Sequence, residues 1–317
     1  MKTGEQLAEN RVRLEMETPR IFSGSMAPRD RYTQSFRILR KEMLCSGTFH
    51  FTLEAPFIAR KIEAGQFIIV RPDEMGERIP LSVCGWDREG GTIEIIVSTV
   101  GKTSSDINQL TVGASLKDIV GPLGERSHVP EKKGTCVLIG GGYGAGAIIP
   151  TALELKRGGQ RLIGFAGART KDSLIMVARL REVCDEVILT TNDGSEGRAG
   201  LVTDALSEII ARENVIHVLA IGPVPMMKAV GDMTRPLMIE TFVSLNAIMV
   251  DGTGMCGACR VSVGRATKFA CIHGPDFDAH QVDFANLMKR QKMFVKEEQL
   301  AFQIMQGHAK DRTCEHS

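Results

Sequence analysis

Cys136-Val137-Leu138-Ile139-Gly140-Gly141-Gly142-Tyr143-Gly144-Ala145-Gly146 passes from an unbroken apolar run into closely spaced glycines, and an apolar stretch follows. A short continuous apolar run reads as a strand buried on both faces, and the stretch beyond the glycines reads as a helix. Glycines at such a junction let a dinucleotide pyrophosphate approach the backbone and the helix N-terminus. The glycines alone say little; the order strand, loop, helix gives them weight. Gly141, Gly142 and Gly144 are the candidate contacts.

Downstream, the same alternation continues. Helical stretches are expected at 147–157, 174–182, 201–212 and 225–234, and strands at 161–166, 186–191 and 217–221. Apolar strands alternating with helices predict a parallel sheet covered by helices. Ligands of such sheets sit beyond the carboxyl ends of the strands, so the segments 167–171, 191–195 and 222–227 should line one crevice. Arg169, Asp193, Gly222 and Pro223 are therefore candidates. Arg169 reads equally as a partner for a ribose phosphate and as a solvated arginine.

Upstream, 35–43, 47–54, 66–71, 79–86, 92–100 and 115–120 read as short strands separated by Gly and Pro, which suggests an antiparallel barrel or sandwich. Within it, Arg78-Ile79-Pro80-Leu81-Ser82 offers a forked cation, a proline suited to an edge and a hydroxyl. Gly101-Lys102-Thr103-Ser104 follows a strand and opens a helix, whose free N–H groups favour a phosphate. An ordinary capped helix start explains the second stretch as well, with Thr103 or Ser104 as the cap.

Beyond Pro236 comes Asp251-Gly252-Thr253-Gly254-Met255-Cys256-Gly257-Ala258-Cys259, and later Cys271. This is the plant-type iron-sulfur spacing C-x4-C-x2-C with aspartate in the first cysteine's place. Thiolates suit iron-sulfur or zinc, and a carboxylate carries the same formal charge as the cysteine it replaces. Asp251, Cys256, Cys259 and Cys271 are the candidate metal ligands, most simply of a [2Fe-2S] cluster. A structural zinc knuckle, with Asp251 capping a turn, is the alternative, although its second ligand pair is missing. A closing amphipathic helix is expected over 282–306, with Leu287, Met288, Phe294, Val295, Phe302 and Met305 available for an apolar face.

The bulk numbers exclude several classes. At 317 residues, 43% hydrophobic and 24% charged, the chain has the composition of a soluble globular protein of about two domains. A net charge of +1 provides no field for nucleic acid or an anionic membrane. Residues 1–20 lack an apolar core of the signal-peptide kind, so a cytoplasmic protein is expected. Cys45, Cys84, Cys136, Cys184 and Cys314 read as reduced thiols with no chemical task.

With these motifs in this order, the chain resembles the ferredoxin-NADP reductase-like electron-transfer subunits. That group includes the small subunit of NADH-dependent reduced ferredoxin:NADP oxidoreductase and the electron-transfer subunit of dihydroorotate dehydrogenase. The resemblance rests on Glu77 to Ser82, on 190–206 and on Ile248 to Cys259, where the dihydroorotate relative has a cysteine in place of Asp251. Two departures stand out: Tyr143 with Gly146-Ala147 in the glycine loop, and Ala220-Ile221-Gly222-Pro223 without the cysteine that many reductases carry before Gly-Pro. The resemblance implies an antiparallel FAD-binding barrel, a parallel-sheet NAD(P)-binding domain and a C-terminal [2Fe-2S] segment. The expected boundaries are a polar arm at 1–32, the barrel at 33–128, the α/β domain at 129–236, the cluster segment at 237–281 and a helix and tail at 282–317. It implies FAD held by Arg78, Pro80, Leu81, Ser82, Gly101, Lys102, Thr103 and Ser104, and NAD(H) or NADP(H) as redox partner. It further implies a larger flavoprotein partner with its own FAD and [4Fe-4S] clusters, with ferredoxin and electron bifurcation possible there. Other readings are service to a different catalytic partner, such as a hydrogenase or sulfur reductase, and a non-catalytic metal-bearing assembly subunit.

Overall fold

The computed structural model describes residues 36–314, with side chains to 304. The arm expected at 1–32 lies outside the described residues. The first strands are β1 (Phe36–Cys45), β2 (Thr48–Glu54), β3 (Phe67–Arg71), β4 (Ile79–Asp87), β5 (Thr92–Ser98), β6 (Ser115–Leu116) and β7 (Asp118–Leu123), with α1 (Pro56–Ala59) and α2 (Lys102–Gln109) between them. They form one antiparallel sheet in the order β6-β1-β2-β5-β4-β3-β7. Both faces of β3 are buried. In β3, Ile68 and Val70 point into a core shared with Phe51, Leu53, Ile93 and Ile95, while Phe67 and Ile69 point the other way into a second core.

The next elements are β8 (Thr135–Gly141), α3 (Gly144–Arg157), β9 (Arg161–Ala168), α4 (Val177–Val183), β10 (Glu186–Thr191), β11 (Arg198–Ala199), α5 (Val202–Arg212), β12 (Val215–Ile221) and α6 (Val224–Thr234). Every residue of β8 is buried, as its apolar run requires. The elements expected in this stretch are present, and their strands pair in parallel.

The C-terminal segment extends this sheet, which its short polar strands did not announce. β13 (Glu240–Ser244) pairs in parallel with β12. A small hairpin of β14 (Arg260–Val263) and β15 (Ala266–Phe269) leads to α7 (Ala270–His273) and to β16 (Asp276–Asp278). β16 closes the sheet antiparallel to β13, giving the order β11-β10-β9-β8-β12-β13-β16.

The single helix expected over 282–306 is two: α8 (Phe284–Gln291) and α9 (Val295–Cys314), separated by a turn at Lys292, Met293 and Phe294. Phe284 and Leu287 carry the buried face of α8. Phe294 in the turn and Leu300 and Ile304 beyond it are exposed, so these apolar side chains do not hold a continuous rod in line. Among the described residues no helix is long and apolar enough to cross a membrane.

The two large sheets share their packing. Cys84 of β4 and Ile96 of β5 face α3, where a Cβ on Gly146 would stand 2.3 Å from Ile96 Cδ1. Phe67 and Ile69 of β3 pack with Cys259 and Cys271. The barrel is thus held on one side by the glycine-loop helix and on the other by the cysteine segment.

Candidate functional site

Along Ile79 to Ser82, β4 pairs with β3 alone and joins β5 only from Val83 onward. Pro80, which has no N–H to donate, therefore sits where one edge of the strand is open. Ser82 is exposed beside that edge. Arg78 stands 3.9 Å from Asp118 of β7, which also pairs with Arg71 at 2.5 Å, leaving the Arg78 guanidinium only loosely tied.

Helix α2 begins at Gly101, around which there is open space. The Ser104 hydroxyl accepts from the N–H groups of Val100 (2.9 Å) and Gly101 (3.0 Å), so this side chain reaches back from the first turn to fix the helix start, as in a capping box. Thr103 Oγ1 donates to Glu77 at 3.4 Å, which ties the helix start to the residue before Arg78. Lys102 is paired with Asp106 at 2.7 Å and its pKa is raised, chiefly by that bond. The Thr103–Glu77 bond thus brings the start of α2 to the residue before Arg78, while Lys102, Thr103 and Ser104 serve mainly to build the helix start. Glu77 and Asp118, which organise this end, carry no motif in the sequence.

In the glycine loop, most glycines are demanded by packing. A Cβ on Gly144 would lie 2.1 Å from the Ile221 carbonyl oxygen, and one on Gly141 would lie 2.7 Å from Met226 Sδ. A Cβ on Gly222 would meet Gly141 Cα at 3.0 Å, so the two loops are packed backbone to backbone, with Pro223 beside them. Gly142 differs: its φ is +58°, it is exposed, and nothing lies within 4 Å of its added Cβ. It is the glycine of this loop that faces open space. Tyr143, beside it, is 47% exposed.

At the next strand ends, Asp193 Oδ1 accepts from Ser195 Oγ (2.6 Å) and Ser195 N (3.0 Å). Ser195 Oγ in turn accepts from Lys171 N at 2.7 Å, joining the loops after β9 and β10. The Ser195 hydroxyl holds the Asp193 carboxyl below its usual range. Arg169 is exposed on the same rim, and its carbonyl accepts from Asp193 N at 3.3 Å. The three loops expected to line a crevice follow β9, β10 and β12; the Lys171–Ser195 bond joins the first two, and the third packs on the glycine loop through Gly222 and Gly141.

The cysteine loop packs against the barrel. Gly252 has φ +79°, and a Cβ there would press on Leu123 of β7 at 2.7 Å and Ile69 of β3 at 3.1 Å. Gly124 N donates to Cys271 O at 3.1 Å, and Glu125 N to Gly274 O at 2.6 Å. Arg290 of α8 donates to Ala258 O at 3.0 Å, pinning the loop from the opposite side. The four candidate ligands fall into two pairs. Cys259 and Cys271 are buried with their sulfurs 3.2 Å apart and remain free thiols. Asp251 Oδ2 accepts from Cys256 N at 3.0 Å, and Oδ1 from Thr253 N at 2.9 Å. These backbone N–H groups hold the Asp251 carboxyl below its usual range. Burial, then the Cys259 thiol, push Cys271 up to about 12, so only a cation would keep it as a thiolate. A centre with two irons, each needing two ligands, fits this pairing: two sulfurs on one iron, carboxylate and sulfur on the other.

A fold with a flavin-type β4 edge, a dinucleotide-type glycine loop and a cysteine loop packed on the barrel defines the ferredoxin-reductase class of electron-transfer proteins. Residues 246–283 match the family model described as the iron-sulfur cluster binding domain of dihydroorotate dehydrogenase B. The chain is 40% identical over 266 residues, 84% of its length and 94% of the relative's, to a Thermotoga maritima protein named dihydroorotate dehydrogenase B (NAD(+)), electron transfer subunit homolog. It is 31% identical over 265 residues to the Geobacillus thermodenitrificans electron transfer subunit, covering 81% of this chain and 99% of that one. A solved structure described as NADH-dependent reduced ferredoxin-NADP oxidoreductase superposes with a TM-score of 0.81 at 38% identity, over 86% of this chain and 98% of that one. Phthalate dioxygenase reductase, at 19% identity and a TM-score of 0.54 over 75% of this chain and 88% of that one, shares the fold. The chain belongs to the family of dihydroorotate dehydrogenase B-type electron-transfer subunits.

Proposed function

We propose that this chain is the small electron-transfer subunit of a flavin and iron-sulfur oxidoreductase, carrying electrons between NAD(H) or NADP(H) and a larger partner. The observation that carries this reading is the nearness of the β4 edge and the cysteine loop on one barrel wall. β3 alone separates the β4 edge from β7, against which the cysteine loop is packed. Strands lie about 4.8 Å apart, so flavin and cluster sites are on the order of 10 Å from each other.

A nicotinamide moves electrons in pairs and an iron-sulfur centre singly, and FAD, which does both, links them. The residues of this chain bind and orient. Arg78 and the start of α2 are placed for a pyrophosphate, and Ser82 for a flavin heteroatom. Pro80 and Leu81 form the strand surface on which the ring would rest. Gly142 admits the nucleotide to the N-terminus of α3, with Gly141, Gly144, Gly222 and Pro223 shaping the floor. Arg169 and Asp193 bound its ribose end. Asp251 and Cys256 would hold one iron, and Cys259 and Cys271 the other. The hydride step needs no protein acid or base.

We keep the boundaries at 128, 236 and 281 as a division by proposed site, although β13 and β16 tie the last segment to the α/β sheet. The large partner is proposed to hold its own FAD and [4Fe-4S] clusters, with bifurcation to ferredoxin taking place there and the complex residing in the cytoplasm. The test is an anaerobic ultraviolet-visible titration of FAD-loaded protein with NADH and with NADPH. Bleaching of flavin and cluster by one of them is expected; full flavin with no reduction by either refutes the reading.

A further inference from the structure

We propose that His50, Cys84 and Glu94 form a binding site for a divalent transition ion of zinc's class on the outer face of the barrel, beneath α4. This site is separate from the cysteine loop and from the electron-transfer reading. Each residue offers one ligand atom, and the three atoms lie within 4.8 Å of one another. Imidazole, thiolate and carboxylate are the donors zinc takes in open sites, where water completes the shell.

The backbone has been adjusted to bring them together. A β-bulge between Val83 and Gly85 leaves Cys84 as the extra residue, so Cys84 and Gly85 both stand opposite Glu94. Bulges of this kind re-aim a side chain. The bulge's second residue is a glycine for a steric reason: a Cβ on Gly85 would lie 2.6 Å from Glu94 Oε2. Space for the carboxylate is thus kept clear over a thiol that is only 2% exposed.

A groove of about 350 Å³ leads to the site, lined by His50, Glu94, Met176, Arg179 and others. Met176 caps α4 in the left-handed region at φ +60°, a conformation a methionine seldom adopts. It presents Arg179, whose Nη1 donates to Glu94 Oε2 at 2.5 Å; His50 Nε2 lies 3.3 Å from the same oxygen. With no ion bound, Arg179 supplies the positive charge this carboxylate needs. An incoming ion replaces it: Zn–S, Zn–N and Zn–O bonds form, the thiol proton leaves to solvent, the neutral imidazole carries its proton on whichever nitrogen does not bind, and the guanidinium, 35% exposed, swings into the groove. All three ligands belong to the barrel, whereas Arg179 belongs to α4. Occupancy therefore exchanges an ion pair between the sheets for a bond set within one of them.

The experiment is anaerobic equilibrium dialysis of the FAD- and cluster-loaded full chain against zinc, followed by metal analysis and X-ray absorption at the zinc edge. One bound zinc is expected, with a single sulfur at about 2.3 Å and nitrogen or oxygen at about 2.0 Å. Cys84→Ser and His50→Gln, each with unchanged iron and flavin content, should weaken binding by more than the roughly 10- to 100-fold that follows loss of a mere supporting group. Arg179→Gln should tighten it by about two- to fivefold, the share of a part-exposed ion pair. A shell of three sulfurs, or zinc binding unaltered in both ligand variants, would overturn the proposal. Should Cys84→Ser fail to retain its cofactors, His50→Gln and Arg179→Gln decide the matter by their opposite shifts.

Discussion

Gly142 and Gly144 stand two positions apart in one loop, and the structure assigns them opposite duties. An alanine at 144 would place its methyl 2.1 Å from a backbone oxygen of β12 and 2.7 Å from the carbonyl carbon. Backbone has no rotamer to yield, so the cost belongs at or above the top of the overpacking range, about 3 kcal/mol. For a chain of this size that is a fall in Tm of roughly 6 °C or more. An alanine at 142 meets nothing within 4 Å and is penalised only for its φ of +58°, about 1–2 kcal/mol. Its methyl, however, stands where a nucleotide would approach. Thermal unfolding of both variants, combined with NADH:dye reductase kinetics, separates the two. Gly144→Ala should lose stability while the folded fraction keeps its KM, and Gly142→Ala should keep most of its stability while KM rises. A stable Gly144→Ala with raised KM, or a Gly142→Ala with unaltered KM, would refute the assignment.

Asp251→Ala should lose the low-temperature paramagnetic resonance of the reduced cluster, and Asp251→Cys should retain it at a shifted potential; an unchanged spectrum in the alanine variant rules this ligand out. His50, above all, and Arg179 pull Glu94 down to about 2 against partial burial, so its contribution is complete above the ordinary glutamate range and vanishes as pH falls through about 2. Glu94→Gln should therefore unfold with a flatter acid limb, seen by circular dichroism between about pH 4.5 and pH 2. Burial raises the Asp276 carboxyl, whose Oδ2 accepts from Ser127 at 2.6 Å while Oδ1 has no partner among the described residues. Its folded form holds a proton that the unfolded chain releases, so wild-type stability should decline as pH rises above the ordinary aspartate range. Asp276→Asn should gain Tm relative to wild type as pH rises from below the ordinary aspartate range to neutrality, and a constant difference would contradict this.

The parallel sheet was legible because its central strands are apolar on both faces: the run Cys136 to Ile139 cannot be anything but interior, and Leu162 to Ala166 of β9 follows suit. β13 and β16 escaped notice for the opposite reason. Glu-Thr-Phe-Val-Ser and Asp-Phe-Asp have too few apolar positions for a period to register, and tertiary pairing alone makes them strands. The apolar spacing through 282–306 suggested one helix, but spacing does not reveal that Met293 and Phe294 are left about half exposed. Of the candidate ligands, Cys256, Cys259 and Cys271 could be read from interval alone, as could the glycine loop. The two roles competing for Ser104, cofactor contact and helix cap, could be separated only by seeing its hydroxyl take the N–H groups of Val100 and Gly101. Cys84 read as an idle thiol, since nothing in the order of residues brings His50 and Glu94 to it; strand register does.

The cluster-bearing stretch is stitched into its neighbours on every border. β13 precedes residues 246–283, β16 lies within them, α8 follows, and the backbone of Gly124 and Glu125 grips Cys271 and Gly274 from the barrel. It is consequently no cassette. Anyone grafting this redox centre onto another reductase would have to carry over the outer strands of the recipient's sheet along with it, and lineages that exchange such modules would be expected to recombine upstream of β13 rather than at the cysteines.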